Sequence, residues 1–347
     1  MDHQFSPNEP ASDNSAPMSE DAKKTARRHF SKLGLMFFFG TLIFYAVQSI
    51  AALIVNAINP DLFSNINYSL LIGMIPTYVI SMPLMMFLIH KFVPAKQIEK
   101  KKMPVGQWLI AFIICVAGMY ISNFIGIFIT QIISVFKGSP VTNEMLDLST
   151  STSLWINIII MVLLAPIYEE MIFRKLLIDR VVKYGEGTAI LFSGLMFGLF
   201  HGNLNQFAYA FILGVIFGFV YVKTGTIRYT ILLHMIINFM GSVLGVLVLK
   251  LIDYNALMEA SNDPEIMTAY MMTHLPQLMV YMIYCFVLLG LVIAGIVLFI
   301  VKIKQIRLEA GEVRIPKGQR FSSTILNVGM ILYFIFWIII IIYQLMQ

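Results

Sequence analysis

Residues 154–178 read LWINIIIMVLLAPIYEEMIFRKLLI, a long apolar stretch with two adjacent acids well inside it. A helix needs about 20 apolar residues to cross the hydrocarbon core of a bilayer, and this stretch is longer than that. An ionisable side chain at such a depth costs ~2.5–3.5 kcal/mol on insertion, so Glu169 and Glu170 each require a partner or a function. The stretch therefore predicts a transmembrane helix that carries a buried polar site.

Apolar runs of similar length recur along most of the chain. Hydrophobic residues make up 59% of the 347 residues and charged residues only 12%, about half the charged share of a typical soluble domain. The runs are 33–58, 68–90, 108–136, 154–178, 187–203, 205–223, 228–252, 278–301 and 325–346. This pattern excludes a soluble enzyme with one anchor and predicts an all-α, polytopic transmembrane helical bundle with about nine membrane helices.

The basic residues are distributed in a way that predicts the orientation of the bundle. If residue 1 is cytoplasmic and every run crosses once, all of the 24 Lys and Arg except Lys137 and Lys250 fall on the cytoplasmic side. This bias follows the positive-inside rule, so we expect a cytoplasmic N-terminus and an exterior residue 347. The net charge of +5 then needs no nucleic-acid partner. The expected location is an integral, multi-pass position in a lipid bilayer, the plasma membrane if the source is bacterial.

The polar composition and the motifs divide the chain into four segments. Residues 1–30, rich in Ser, Asn, Pro and charge, are predicted to be a disordered cytoplasmic tail. Residues 31–153 are predicted to hold N-terminal membrane helices, and residues 154–252 the helices that carry ionisable residues at membrane depth. Residues 253–347 complete the bundle with C-terminal membrane helices.

Helical spacing separates the roles of the two deep acids. Glu170 and Arg174 are four residues apart, so they share one face of a helix with the acid on the favoured N-terminal side. Glu169 is rotated from Glu170 by about 100°. We therefore expect Arg174 to neutralise Glu170 and Glu169 to face a cavity.

Two histidines lie inside apolar runs, each with a partner four residues away. Phe197 and His201 share one helical face, and His234 and Asn238 share another. Taken singly, each pair is as well explained by helix packing. The deep acids and deep histidines all occur on three neighbouring runs, however, and this clustering predicts one shared site.

The predicted depths of these residues do not agree. Counting ~1.5 Å per residue from the cytoplasmic ends places Glu169 and His234 roughly 10–15 Å deep, but His201 nearer ~20 Å. The three meet only if the helix of His201 tilts or starts below the headgroups. Alternatively, the polar connection 202–206 dips into a water-filled cavity, where irregular backbone is tolerated.

This set of residue types supports hydrolysis of an acyl bond, a peptide bond above all. A carboxylate in an apolar pocket can act as a general base toward water, and a nearby imidazole can hold that water. A second imidazole with a carboxamide supplies donors to an oxyanion, each worth ~2.7–4 kcal/mol. A glutamate with two histidines also suits a catalytic zinc or another divalent ion. His-Glu-x-x-His is absent, which argues against an ordinary zincin.

Three motifs follow one another on successive apolar helices. They are Glu169-Glu170-x-x-x-Arg174, Phe197-x-x-x-His201 and His234-x-x-x-Asn238. In this order they resemble the motifs of the CPBP family, the CAAX-protease and bacteriocin-processing intramembrane peptidases, also called the Abi family. The resemblance covers about residues 154–252, and the motifs are weak singly but highly specific together.

The resemblance implies a role for each matched residue. Glu169 would be the water-activating base with His201 as its partner, and His234 with Asn238 would form the oxyanion hole or add ligands. The supporting residues would be Glu170, Arg174 and Phe197. The family is described both as metal-dependent and as metal-free. The implied ligands of a metal such as zinc are Glu169, His201 and His234.

The implied activity is that of an intramembrane endopeptidase, glutamate- or metal-dependent, acting on a membrane-associated protein or peptide. Prenylated CAAX substrates do not carry over, because the flanks of the motifs add nothing recognisable. Two other classes stay open. A proton-coupled transporter would use Glu169 but has no need of the His234–Asn238 face, and a non-catalytic scaffold or immunity protein would tolerate Glu169→Gln.

Overall fold

The computed structural model describes residues 19–252 and 254–346, which fold into helices joined by short connections. In chain order the helices are α1 (Glu20–Ile58), α2 (Ile66–Phe92), α3 (Val105–Lys137), α4 (Glu144–Ser151), α5 (Leu154–Tyr184), α6 (Glu186–Phe200), α7 (Leu204–Thr224), α8 (Ile227–Leu249), α9 (Tyr254–Ala260), α10 (Pro264–Thr273), α11 (Leu275–Ile303) and α12 (Val328–Met346). Eight of them are long and apolar enough to cross a membrane. The prediction of an all-α, multi-pass membrane protein is confirmed.

The ninth predicted run, 187–203, forms a helix too short to cross. Its helix α6 has 15 residues and is therefore about 22 Å long, against a hydrocarbon core of about 30 Å. α6 and α7 pack side by side as an antiparallel hairpin, and Lys223 Nζ lies 2.5 Å from Glu186 Oε2 where the two helices begin and end. The polar connection 202–206 indicated a break between the two runs, but the sequence did not show that α6 is too short to cross.

The turn between α6 and α7 is buried inside the bundle. Gly202 there has a φ of +69°, and a Cβ on it would lie 3.1 Å from the Trp337 ring of α12. Asn203 and Asn205 in the same connection are also buried.

Glu169 lies fifteen residues before Tyr184, where α5 ends, and His201 lies fifteen residues after Glu186, where α6 begins. The predicted difference in depth between these two residues therefore disappears, because α5 continues further than expected.

Helix α1 begins earlier than expected. It starts at Glu20, so the predicted disorder of residues 1–30 is wrong from residue 20 onward. Ala26 and Phe30 of this part are buried, and packing of that face stabilises the helix while the Lys and Arg residues lie mostly on its exposed side. The predicted disorder of residues 1–18 lies outside the described residues.

Two extended segments cover one end of helices α5, α6 and α7. Residues 93–104 bond to them through Lys96 N–H, which donates to Asp179 O at 2.6 Å. Residues 304–316 do so through Val313 N–H, which donates to Lys183 O at 3.0 Å. Because most Lys and Arg lie here, we call this the basic end and the opposite one the acidic end. Which end faces the cytoplasm stays a prediction.

Candidate active site

The helix that carries the two acids is irregular on both sides of them. It is π-helical over Asn157–Leu164 and Met171–Ile178, with the α-helical turns Ala165–Glu170 between. In the first wide turn the Ala165 N–H donates to Ile160 O, five residues back. The next bond of this type would need an N–H on Pro166, which has none. Wide turns of this kind are frequent at functional sites.

The carbonyl group that receives no bond from Pro166 is that of Met161, and Asn238 of the third motif donates to it. Asn238 Nδ2 donates to Met161 O at 2.7 Å, across from α8 to α5. This bond uses one of the two N–H groups of the carboxamide and fixes its orientation. Asn238 is thus tied to the broken turn that precedes the acids, and its other N–H and its carbonyl oxygen are left for further contacts.

Glu170 and Arg174 form a fully buried ion pair. Arg174 Nε lies 3.0 Å from Glu170 Oε2, and both side chains are 0% exposed. The guanidinium carbon sits 4.4 Å from the ring centre of Phe197 and 5.4 Å from that of Phe217, which adds cation–π attraction. The pairing expected from their spacing is present, and Phe197 helps to hold it.

His234 lies between the two acids. Its Nδ1 is 3.0 Å from Glu170 Oε1. Because a carboxylate accepts, we assign the proton to Nδ1, which leaves Nε2 as an acceptor in the neutral ring. Nε2 lies 3.7 Å from Glu169 Oε2, too far for a direct hydrogen bond but close enough for one water to bridge them.

Glu169 faces a cavity of about 220 Å³. Its side chain is 14% exposed, in contrast to Glu170. The cavity is also lined by Phe197, His201, His234 and Asn238. The structure thus brings the predicted residues of all three motifs together, and the division between a neutralised Glu170 and a cavity-facing Glu169 is as the helical spacing predicted.

His201 is oriented by its own helix. Its Nδ1 lies 2.8 Å from Phe197 O, a carbonyl that can only accept, so Nδ1 carries the proton. The ring also packs edge-on against Phe197, with centres 4.8 Å apart. In the neutral ring Nε2 is therefore the acceptor left for the cavity.

Two further polar residues line the cavity that sequence reasoning missed. Gln206 Nε2 donates to the Tyr209 hydroxyl oxygen at 2.9 Å, and both belong to the first turns of α7. Gln206 could have been selected from the sequence, because it belongs to the polar connection 202–206 between two apolar runs. A tyrosine on an apolar helix gives no such signal, and Tyr209 could not have been selected from the sequence.

A divalent metal such as zinc was one of the two possibilities expected for this site. Across residues 19–252 and 254–346, no three His, Cys, Asp or Glu side chains are arranged to hold an ion. Glu169, His201 and His234 nevertheless line one cavity, and each histidine turns Nδ1 to another protein group and leaves Nε2 for the cavity, as metal-bound histidines do. A metal role for these three residues therefore stays a prediction.

The bond between Asn238 and Met161 gives a specific prediction. Asn238→Ala should lower stability, because the Met161 carbonyl loses its donor, and should also lower kcat by roughly 10²–10³-fold if the second N–H serves an oxyanion. Adding Pro166→Ala restores an N–H that can reach Met161 O. We expect the double variant to recover thermal stability but not kcat.

Melting temperature and initial rate, measured on the same purified preparations, separate the two roles. Pro166→Ala alone is the control. Recovery of both quantities in the double variant would show that Asn238 acts only by bonding Met161, and recovery of neither would show that the carbonyl bond is unimportant.

Known proteins are similar to the part of the chain that carries this site. A family model described as "Type II CAAX prenyl endopeptidase Rce1-like" matches residues 151–240, which contain all three motifs. No solved structure matches the chain.

Two curated bacterial proteins are similar over part of their length. The chain is 29% identical over 131 residues to "Putative membrane peptidase YdiL" of Bacillus subtilis (strain 168), a match that covers 35% of this chain and 52% of that relative. It is 26% identical over 147 residues to "Membrane-embedded CAAX protease MroQ" of Staphylococcus aureus (strain USA300), covering 40% of this chain and 58% of the relative. The chain thus spans little more than half the length of these relatives.

Proposed function

We propose that this chain, which belongs to the CPBP family by its residues 151–240, is an intramembrane endopeptidase that hydrolyses a peptide bond of a membrane-associated protein or peptide. The observation that carries the proposal is the contrast between two adjacent acids. Glu170 is buried and neutralised, whereas Glu169 faces a cavity with His234 Nε2 at 3.7 Å. A carboxylate kept free at this depth is expensive unless it does chemistry.

The attacking water would bridge Glu169 and His234. With Nδ1 of His234 protonated toward Glu170, both Glu169 and Nε2 are acceptors, so they take up the two hydrogens of the water. The oxygen lone pairs then point away from both residues, toward a bound substrate. Glu170 and Arg174 act through His234, because they set which of its nitrogens carries the proton.

The reaction follows from this arrangement. Glu169 takes one proton from the water while the water oxygen bonds to the scissile carbonyl carbon. The carbonyl oxygen then becomes negatively charged. The free N–H of Asn238 is the donor that we assign to this oxyanion. Glu169 then passes its proton to the leaving nitrogen as the C–N bond breaks, which gives a carboxyl and an amine and returns Glu169 to its starting state.

The roles of the histidines differ in part from those implied by the resemblance. In the neutral state neither His201 nor His234 presents an N–H to the cavity, so an oxyanion role for His234 requires its imidazolium form. We therefore assign His234 first to the water, with His201 as a second acceptor that holds or relays a proton. A metal ion has no step in this scheme.

A comparison of cells tests the proposal without a known substrate. Protein termini of membrane fractions are quantified by mass spectrometry in a strain that carries the wild type and in one that carries Glu169→Ala. We expect a small set of cleaved products to disappear and their uncleaved precursors to accumulate in the variant. A variant of an exposed acid, Glu99→Gln, is the matched control.

Identical termini in the Glu169→Ala and parent strains would contradict the proposal. A second arm treats the purified protein with a strong divalent-metal chelator before the assay. Because Glu169 activates the water in the proposed scheme, we expect the rate of cleavage to be retained. Full loss on chelation, reversed by adding zinc, would replace the glutamate mechanism with a metal-dependent one.

A further inference from the structure

A second cavity, of about 330 Å³, adjoins the catalytic cavity. We call it the apolar cleft; its defining residues are Met119, Asn123, Leu146, Gly241, Leu249 and Tyr284. Both cavities are lined by Met145, Met161, Tyr209 and Asn238, so the cleft lies directly beside the site of Glu169. A chain held at the catalytic residues has only these four side chains to pass to enter the cleft.

The cleft runs from the catalytic site toward the acidic end. Along α8 its lining extends from Asn238 to Leu249, about 16 Å at the rise of a helix. An extended peptide spans at most about 3.3–3.6 Å per residue. The length of the cleft thus matches about five residues of an extended chain.

The lining of the cleft selects against charge. None of the described residues that line it is Asp, Glu, Lys, Arg or His. A charged side chain placed there would lose its water without gaining a partner. Four of the lining residues are methionines, whose flexible side chains adapt to apolar groups of different shape: Met119, Met145, Met161 and Met240.

Asn123 offers a hydrogen-bonding group to an occupant of the cleft. It lies on α3, half-buried, and its carboxamide makes no hydrogen bond to any described part of the chain. The carboxamide is therefore available to a molecule bound in the cleft. Its N–H donors and carbonyl acceptor match those of a peptide unit, whereas a hydrocarbon chain would leave them unpaired.

We propose that the apolar cleft binds an uncharged, apolar segment of about five residues that flanks the scissile bond on one side. The proposal rests on the peptidase function proposed above and adds a substrate class to it: peptides with an extended apolar flank next to the cleavage site.

Gly241 allows the cleft to be filled in the folded protein. A Cβ at Gly241 would meet nothing within 4 Å, so Gly241→Cys should fold. In a Cys285→Ser background, a methanethiosulfonate converts this thiol to a mixed disulfide and releases methanesulfinate. A benzyl adduct should lower the rate of peptide cleavage by about 10-fold or more, because it occupies the cleft, and a methyl adduct by less than about 2-fold.

Gly290→Cys is the matched control. Gly290 also has nothing within 4 Å of an added Cβ, but it lies on α11 outside the cleft lining. Its benzyl adduct should leave the rate unchanged, and reduction should restore the activity of the Gly241→Cys adduct. Equal rates for the benzyl and methyl adducts at Gly241 would overturn the proposal.

A mixture of synthetic peptides of varied sequence tests the substrate class. Cleavage sites that depend on Glu169 should be flanked on one side, over about five positions, by uncharged apolar residues. Asn123→Leu should raise KM by about 10-fold with kcat nearly unchanged, since it removes a bond made to the ground state and transition state alike.

The outcomes separate this inference from the function on which it rests. Suppose that the wild type cleaves peptides in which charged residues are as frequent on both sides of the cleavage site as they are in the whole mixture. In that case the cleft proposal fails and the peptidase proposal stands. If the benzyl adduct slows all peptides equally, whatever their flank, the adduct does not act by displacing the flank and the cleft proposal fails. If the wild type cleaves no more than Glu169→Gln, both proposals fail.

Discussion

Glu169→Gln is expected to leave the bundle folded and to lower peptide hydrolysis by about 10²–10⁴-fold, the usual contribution of a general base. The amide keeps the shape of the side chain but cannot take a proton from the water. Glu169 has no ion-pair partner closer than the 3.7 Å contact to His234, so its neutralisation should cost little stability. Initial rates and melting temperatures of the purified protein in lipid nanodiscs measure both effects.

Glu170→Gln provides the comparison that decides the assignment. It weakens the interaction with both Arg174 and His234 and should lower the amount of folded protein. If Glu169→Gln were unstable and Glu170→Gln folded but inactive, the roles of the two acids would be reversed.

Arg174→Met is expected to destabilise the protein by about 3–5 kcal/mol, the usual cost of breaking a buried ion pair. The guanidinium and the carboxylate of Glu170 are both fully buried, so removal of the cation leaves an uncompensated charge in an apolar interior. The lost packing against Phe197 and Phe217 adds to the effect. Thermal unfolding in detergent or nanodiscs, followed by size-exclusion chromatography, measures the loss.

A double variant shows whether the charge is the cause. Arg174→Met with Glu170→Gln removes both charges and should be more stable than Arg174→Met alone. Lys175→Met is the adjacent control, because Lys175 is 39% exposed and pairs with Asp179 at the edge of the core. A double variant no more stable than the single one would show that Arg174 acts by packing rather than by charge.

The apolar runs were sufficient to predict eight of the nine proposed membrane helices, and local periodicity predicted the division of the acids. The turn of about 100° per residue directs Glu169 and Glu170 to different surroundings whatever the rest of the bundle does. The convergence of Glu169, His201 and His234 was predictable as well, because polar residues at membrane depth have few stable places.

The remaining features depend on contacts between distant parts of the chain. The Asn238 bond to Met161 exists because Pro166 removes a donor on another helix, and no spacing within α8 reveals it. The length of α6 depends on the burial of the turn at Gly202 against α12. Helix α1 likewise extends to Glu20 because Phe30 and its neighbours find a core to pack against.

The most direct test of the account is whether the purified chain itself hydrolyses peptides through Glu169. The wild type and Glu169→Gln, each in lipid nanodiscs, are incubated with the same peptide mixture in ¹⁸O-labelled water, and the products are identified by mass spectrometry. We expect new C-termini that carry ¹⁸O with the wild type and at most traces of them with Glu169→Gln. The same labelled products in equal yield from both proteins would contradict the account.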